Sequence, residues 1–340
     1  MQDKIRFFNA RADGFEAQIK ILKKKSNALS VQRVAVFVLF FVTAIVMLNY
    51  RHPGFALLLA LLFVVVFGLL VNLHNRVKRE LETARQLAQI NREEIARLLR
   101  KFDNLEDGIE FADDQHPYAN DLDVFGRSSL FQLVNRAATS AGKQLLASWF
   151  SKAFSHETIV TRQEVSKELS QFLDWRQKLQ AFGRLNKSEK AKEVAFFEWL
   201  NGKDILQNSR FNRFVPYLMI AISSGLILAV SFTSLTGYSL FLPLIINGYL
   251  LMKIAKYSKN IYDMALSGVQ MLEAAQQIVR LIENQNFSHG YLHDLQAKLM
   301  PQGIKASAKI RDLRKIFDLL SQRGNQMYQI LNGIFLLDYI

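Results

Sequence analysis

The feature that most limits what this chain can fold into is the placement of its apolar residues, which fall into four blocks arranged as two pairs. The first block runs from Val31 to Tyr50 and is uncharged from Val34 onward. The turn Asn49-Tyr50-Arg51-His52-Pro53-Gly54 then leads to a second block, Phe55 to Leu73. A third spans Phe214 to Phe232 and a fourth runs from about Tyr238 to Met252. A helix crossing the hydrocarbon of a bilayer takes roughly 20 apolar residues, with about 17 as a practical minimum. Blocks two and three carry no charge over such a length, and blocks one and four reach it if Arg33 and Lys253 extend toward the headgroups. The competing reading is two buried core hairpins in a soluble protein. Uncharged runs of spanning length favour two transmembrane helical hairpins instead.

The flanking charges orient these hairpins. Lys20, Lys23, Lys24, Lys25 and Arg33 precede the first block, and Arg76, Lys78 and Arg79 follow the second. Arg210 and Arg213 precede the third, and Lys253, Lys256 and Lys259 follow the fourth, while the two short connections hold only Arg51 and His52. Basic residues concentrate on the cytoplasmic side of membrane proteins. The pattern therefore predicts a multi-pass protein of the cell's inner membrane with both termini and the central segment in the cytoplasm. The segment Met1 to Lys25 is amphipathic and is not a cleavable signal.

A net charge of +13 raises the question of nucleic acid, so its location matters. Residues 1–33, 74–101 and 253–259 together with Arg51 account for all of the excess, and the remainder is neutral. Such membrane-proximal charge reads as topology control and attraction to anionic lipid, with Lys23, Lys24, Lys25, Arg76, Lys78, Arg79, Lys253 and Lys256 as the lipid-facing basic residues. A DNA-binding face needs basic residues clustered away from the membrane. In residues 1–30, Ile5, Phe8, Phe15, Ile19 and Leu22 share one helical face. That fits either a helix lying on the membrane surface or one packing on the cytoplasmic body.

The cytoplasmic segments read as all-α. A charged helix continues out of the second block from His74 to Lys101, and a loop from Asp103 to about Gly126 follows. Ser128 and Ser129 can cap a short helix, Thr139 and Ser140 a second over Ala141–Phe154, and Thr158 begins a third with Val165, Leu169, Phe172 and Leu179 at helical spacing. After the fourth block, Ile261, Ala265, Gly268, Leu272, Ala275, Val279 and Ile282 recur at alternating steps of four and three, a coiled-coil-like seam able to pair with a second copy. A break at Asn286–Gly290 follows, then an amphipathic helix with Ile310, Leu313, Phe317 and Leu320, and a closing segment with Met327, Leu331, Ile334 and Phe335. The expected domains are an amphipathic helix over 1–30, hairpins over 31–73 and 214–254, a cytoplasmic core over 74–213 and return helices over 255–340.

Within that core, Asp121-Leu122-Asp123-Val124-Phe125-Gly126 precedes Ser129-Leu130-Phe131-Gln132-Leu133-Val134-Asn135-Arg136-Ala137-Ala138-Thr139 and Gly142-Lys143-Gln144-Leu145-Leu146-Ala147-Ser148-Trp149-Phe150. This run resembles the start of the helical core, or lever, domain of the MutS DNA mismatch repair family. There a Leu-rich helix, an Asn-Arg-x-x-Thr turn and a Gly-x-x-Leu-Leu-x-x-Trp helix occur in the same order. Arg162-Gln163-Glu164-Val165 with Trp175-Arg176 is similar to the next family helix. Arg323-Gly324-Asn325 through Leu331-Asn332 to Asp338 is similar to the return helix leading into the family's ATPase domain. The resemblance covers about residues 118–182 and 305–340. It implies a membrane-associated MutS-like module, with Asp121, Asp123, Phe125, Gly126, Leu130, Asn135, Arg136, Thr139, Gly142, Leu145, Trp149, Asn332 and Asp338 as its structural motif residues. The whole protein it implies is an ATP-dependent, DNA-associated factor whose ATPase, with ATP and Mg, is expected in a domain beyond this chain.

The departures from that family bear on function. A P-loop needs a glycine-rich run ending in Gly-Lys-Ser/Thr, because backbone amides cradle the phosphates while a hydroxyl holds magnesium. Gly142-Lys143-Gln144 and Gly202-Lys203-Asp204 lack both the hydroxyl and the upstream glycine. Phe196-Phe197-Glu198 matches the spacing of the family's mismatch wedge without the N-terminal domain that carries it. Of the other candidates, Asp113, Asp114, Asp121 and Asp123 fit no cation-loop signature and read as a solvated loop. His289 and His293 are split by Gly290, which weakens a shared helical metal face. Glu93 and Glu94 lie among arginines and read as a solvated helix face. Trp149, Trp175 and Trp199 read as core, and without cysteine neither a disulfide nor a Cys-ligated metal can form. No cofactor is expected in this chain, and it is not read as an enzyme by itself. The expected partners are membrane lipids, a second copy of the chain, and DNA through the resemblance alone. The rival to a MutS-like module is a membrane scaffold that self-associates through residues 261–282. A transporter is weaker, since the spans hold no acidic residue.

Overall fold

A computed structural model describes residues 1–49, 53–185, 198, 210–232, 241–321 and 326–335. The backbone divides into two units, Met1–Lys187 and Ser188–Ile340. The all-α expectation holds: among the described residues every regular element is helical and none is a strand.

The first unit is built on two long helices, α1 (Gln2–Asn49) and α2 (Pro53–Leu98). At 1.5 Å per residue each is about 70 Å long. Neither contains an internal proline. Pro53 sits at the first position of α2, where a fixed φ and a missing N–H cost nothing. The two helices run antiparallel: Arg11 reaches Asn91, Leu22 and Leu29 share a buried cluster with Val77, Leu81 and Ala84, and Phe40 stacks on Phe63. Buried positions on α2 (Val77, Leu81, Ala84, Ala88, Asn91) recur at steps of four and three, the signature of a coiled-coil seam. On α1 the matching seam runs through Ala12, Phe15, Ile19, Leu22 and Leu29.

The domain boundaries expected at residues 30 and 73 fall inside α1 and α2, which run through them without a break. Residues 1–30 continue into the first apolar block as one helix, and the expected alternative of packing on the helical body is the one its apolar face takes. No breaker interrupts the run, and Ile19 and Leu22 pack on α2 while Phe15 packs against Leu87, Ile90 and Ala181. Each large apolar side chain so buried contributes roughly 1.5–3 kcal/mol.

After α2 the loop closes around a one-turn 3-10 helix, Ile109–Phe111. Four helices follow: α3 (Leu130–Val134), α4 (Ser140–Ser151), α5 (His156–Gln171) and α6 (Leu173–Leu185). Ser129, Thr139 and Ser155 cap the first three, each hydroxyl accepting from a backbone N–H three residues on. The expected third helix is broken at Phe172, which leaves the helical conformation, so Leu179 belongs to α6. That helix packs on α2.

The second unit contains α7 (Arg210–Phe232), α8 (Phe241–Glu283), α9 (Gly290–Ala297), a 3-10 turn at Pro301–Gly303, α10 (Ala306–Ser321) and α11 (Gln326–Phe335). The boundary expected at residue 254 falls inside α8. The coiled-coil seam at 261–282 exists, and the chain's own α10 fills it: Ala265 and Leu272 are buried with Phe317, and Ile310 and Leu320 pack against them.

Candidate functional site

Two surfaces stand out in the first unit, an apolar belt on the outer half of the α1–α2 hairpin and a polar junction at its inner end. In the belt, aromatic side chains face between the helices: Phe40 and Phe63 stack with ring centroids 4.1 Å apart, and Phe63 continues to Phe67 at 5.3 Å. Phe37 and Phe41, 4.6 Å apart on α1, are half-exposed. The outward side chains are aliphatic and open: Val34 is 63% exposed, Leu39 64%, Leu58 62% and Val65 60%. Arg33 closes the inner edge of the belt with its guanidinium 5.4 Å from the Phe67 ring centroid. Soluble monomers rarely leave a contiguous apolar surface of this kind in water.

By length and composition, one stretch among the described residues can cross a membrane, the helix Gln2–Thr43, with a window of mean hydropathy 1.5 of which 6% is buried. Tyr217–Leu226 and Phe241–Lys253 are apolar and shorter. Below the belt, Lys23, Lys24 and Lys25 on α1 and Arg76, Lys78 and Arg79 on α2 are exposed, and the Leu22–Leu29 and Val77–Leu81 packing brings them to one level as a collar. Arg76 also donates to Glu80 at 3.2 Å. On α8, Lys253 is exposed, and the Lys256 side chain lies outside the described set.

The junction gathers the end of α2, the Asn135–Thr139 turn and α6. Arg97, 7% exposed, donates to the Asn135 carbonyl at 2.8 Å and pairs with Glu94 at 3.2 Å and Glu93 at 3.9 Å. Arg136 grips both oxygens of Glu94 at 2.8 and 2.7 Å, and Arg184 both oxygens of Glu93 at 2.8 and 2.5 Å. Burial, and then the neighbouring Arg136, hold the Arg97 guanidinium below its ordinary value, while Glu94 and Glu93 pull the other way. Arg176 is lowered for the same first two reasons. A cavity of about 370 Å³ opens here, lined by Glu93, Arg97, Glu106, Asn135, Arg136, Lys143 and Arg184 among others. Lys143 pairs with Glu106, so every cation in the lining faces a carboxylate. The chemistry is that of a charge-balanced joint fixing α2 to the turn and to α6.

A second buried network lies one turn and a half back along α2. Asn91 and Gln177 exchange amide hydrogen bonds at 3.2 and 3.1 Å, and Asn91 also donates to the Leu87 carbonyl at 2.7 Å. Arg11 of α1 donates to Asn91 at 3.3 Å, to Gln177 at 2.9 Å and to Asp174 at 2.5 Å. Neither Asn91 nor Gln177 stands out in a linear reading. The available signal was Asn91 falling on a four-three apolar register, where a buried amide fixes alignment.

The motif residues act as turn and cap elements. Asp121 and Asp123 are exposed, and Asp123 adopts φ +46° while its carbonyl accepts from Leu130 N at 2.9 Å. Gly126, at φ +97°, donates to Asp107 O at 2.9 Å, a conformation that suits glycine. Phe125 joins Phe111 and the fully buried Phe131 in an aromatic cluster. Leu130 opens α3 and Asn135 closes it, its side chain accepting from Ala137 N at 2.9 Å. Thr139 accepts from Gly142 N at 3.1 Å, and a Cβ on Gly142 would sit 3.0 Å from the Thr139 hydroxyl. Leu145 is exposed, and Trp149 is half-exposed with the Arg162 guanidinium 4.1 Å from its ring and 4.0 Å from that of Phe154. The structure thus brings Asn135, Arg136, Thr139 and Gly142 to one turn. Asn332 lies buried in α11 of the second unit. Asp338, Arg323-Gly324-Asn325, Phe196, Phe197, Trp199 and Gly202-Lys203-Asp204 lie outside the described residues.

His289 caps α9 through Nδ1, which accepts from Tyr291 N at 3.2 Å. Among the described residues no three His, Asp or Glu side chains are grouped to hold a metal ion. Comparison of the chain with protein-family models, with curated proteins and with solved structures finds no match, so the likeness to the MutS lever rests on the motif residues alone.

Proposed function

We propose that this chain is a membrane-anchored helical module of the MutS-like kind. In this reading both apolar hairpins lie in the inner membrane, both termini and the helical body face the cytoplasm, and the α1–α2 hairpin acts as a stiff lever between bilayer and body. The observation that carries it is the exposed aliphatic belt above a basic collar on two long, unbroken antiparallel helices. The first apolar block, 20 residues from Val31 to Tyr50, spans about 30 Å as helix, the thickness of the hydrocarbon. The collar then falls at the cytoplasmic headgroups, where anionic lipid attracts Lys and Arg.

The MutS resemblance adds the proposal that the lever works with an ATP-hydrolysing domain in a DNA-associated factor. The self-associating scaffold has less to rest on, because α10 occupies the seam on which pairing was expected. Alkaline carbonate extraction of membranes from cells expressing the chain tests the anchoring. Retention in the pellet, with release by detergent, is expected; release by carbonate alone would refute it.

A further inference from the structure

In the run Phe241–Met252 the one amide side chain is Asn247, and it is wholly buried. Its Nδ2 donates to the carbonyl oxygens of Gly333 at 3.0 Å and Ile334 at 2.8 Å. Those carbonyls belong to α11, so the amide ties the two helices together. In hydrocarbon, where no water is at hand, a buried amide spends its N–H donors on protein groups.

The path of the chain supports the same placement. At one end of α10, Ser307 bonds through its N–H (3.0 Å) and its hydroxyl to the Glu283 carboxylate. Farther along, Arg314 pairs with Glu273 at 3.5 Å, and Phe317 is buried with Leu272 and Ala265. The chain therefore runs back along α8 from its polar end toward its apolar end, and α11 arrives at Asn247. The sequence from Gln326 to Leu337 carries no charge. Asn247 precedes Lys253 by six residues, about 9 Å of helix.

We infer that α11 enters the bilayer beside α8, to the depth of Asn247, as a short third membrane helix whose outer face meets lipid acyl chains. This departs from the expectation that residues 255–340 are wholly cytoplasmic, and it rests on the reading of α7–α8 as a membrane hairpin. The absence of native cysteine makes the test direct. Full-length Ile334→Cys, Ile245→Cys and Lys309→Cys variants are labelled with an environment-sensitive fluorophore. Each is reconstituted in phosphatidylcholine–phosphatidylglycerol vesicles carrying doxyl-labelled acyl chains. Quenching at 334 and 245 severalfold stronger than at 309 is expected, and Asn247→Leu should weaken it at 334 while leaving 245 unchanged. Strong quenching at 245 with 334 no different from 309 would overturn the inference and leave the hairpin in place. Absence of quenching at 245 would remove the hairpin from the bilayer and the inference with it.

Discussion

Gly183 offers a sharp test of the joint at the base of the hairpin. It lies in α6, and a Cβ built there would sit 2.7 Å from the Ala138 Cβ, closer than real carbons approach. Replacing glycine by alanine in a helix ordinarily gains about 1 kcal/mol. Here the added methyl meets a neighbour on the Asn135–Thr139 turn, which is held by the Arg97 bond to the Asn135 carbonyl and by the Arg136 grip on Glu94. Overpacking against such a neighbour costs typically 1–3 kcal/mol, so Gly183→Ala should destabilise the unit by roughly 1–2 kcal/mol. Gly14→Ala in α1 is the control: nothing lies within 4 Å of its Cβ, and it should stabilise by about 0.5–1 kcal/mol. Hydrogen exchange of the full chain in detergent, followed on peptides from α4 and α6 for the first and α1 for the second, reads local opening free energies directly. If Gly183→Ala slows exchange as Gly14→Ala does, the packing of α6 on the turn is wrong.

Arg97→Met should cost about 3–5 kcal/mol, because it removes a buried cation and leaves Glu93, Glu94 and the Asn135 carbonyl short of a donor. Arg97→Lys should recover little of this, since one ammonium cannot reproduce the planar fork, and thermal unfolding of the two variants checks both statements. Asn91→Ala should cost roughly 1–3 kcal/mol by leaving the Gln177 amide half-satisfied, seen as faster exchange across α6. Val38→Lys places a charge in the belt at about 2.5–3.5 kcal/mol and should lower the carbonate-resistant fraction, whereas Lys24→Gln in the collar should barely change it.

Much of this architecture is legible in one dimension, because long apolar blocks and hydroxyl caps are local signals. Ser129 and Thr139 were readable as caps, and α2 as one helix running out of the second apolar block. The continuity of α1 is hidden by a change in the side chains along one helix. Residues 1–30 have a polar outer face and residues 31–49 an apolar one, so composition draws a boundary between them although no residue breaks the helix. The partner of the 261–282 seam was equally hidden, since a four-three repeat states that something packs there without saying whether it is a second copy or the chain's own α10. In the junction, Glu93 and Glu94 read as a solvated face because they sit among arginines. Their partners Arg136 and Arg184 lie 42 and 91 residues away, and only folding makes the set a buried joint.

Anchoring by the α1–α2 hairpin is the central claim, and single cysteines in this cysteine-free chain test it most directly. Gln18→Cys and Arg85→Cys lie on the exposed faces of the inner half, and Val38→Cys and Val65→Cys on the belt. Each variant is treated, in inside-out membrane vesicles, with a membrane-impermeant maleimide before and after detergent denaturation. Positions 18 and 85 should label in intact vesicles, while 38 and 65 should label only after denaturation. Equal labelling of all four before detergent would place the belt in water and contradict the account.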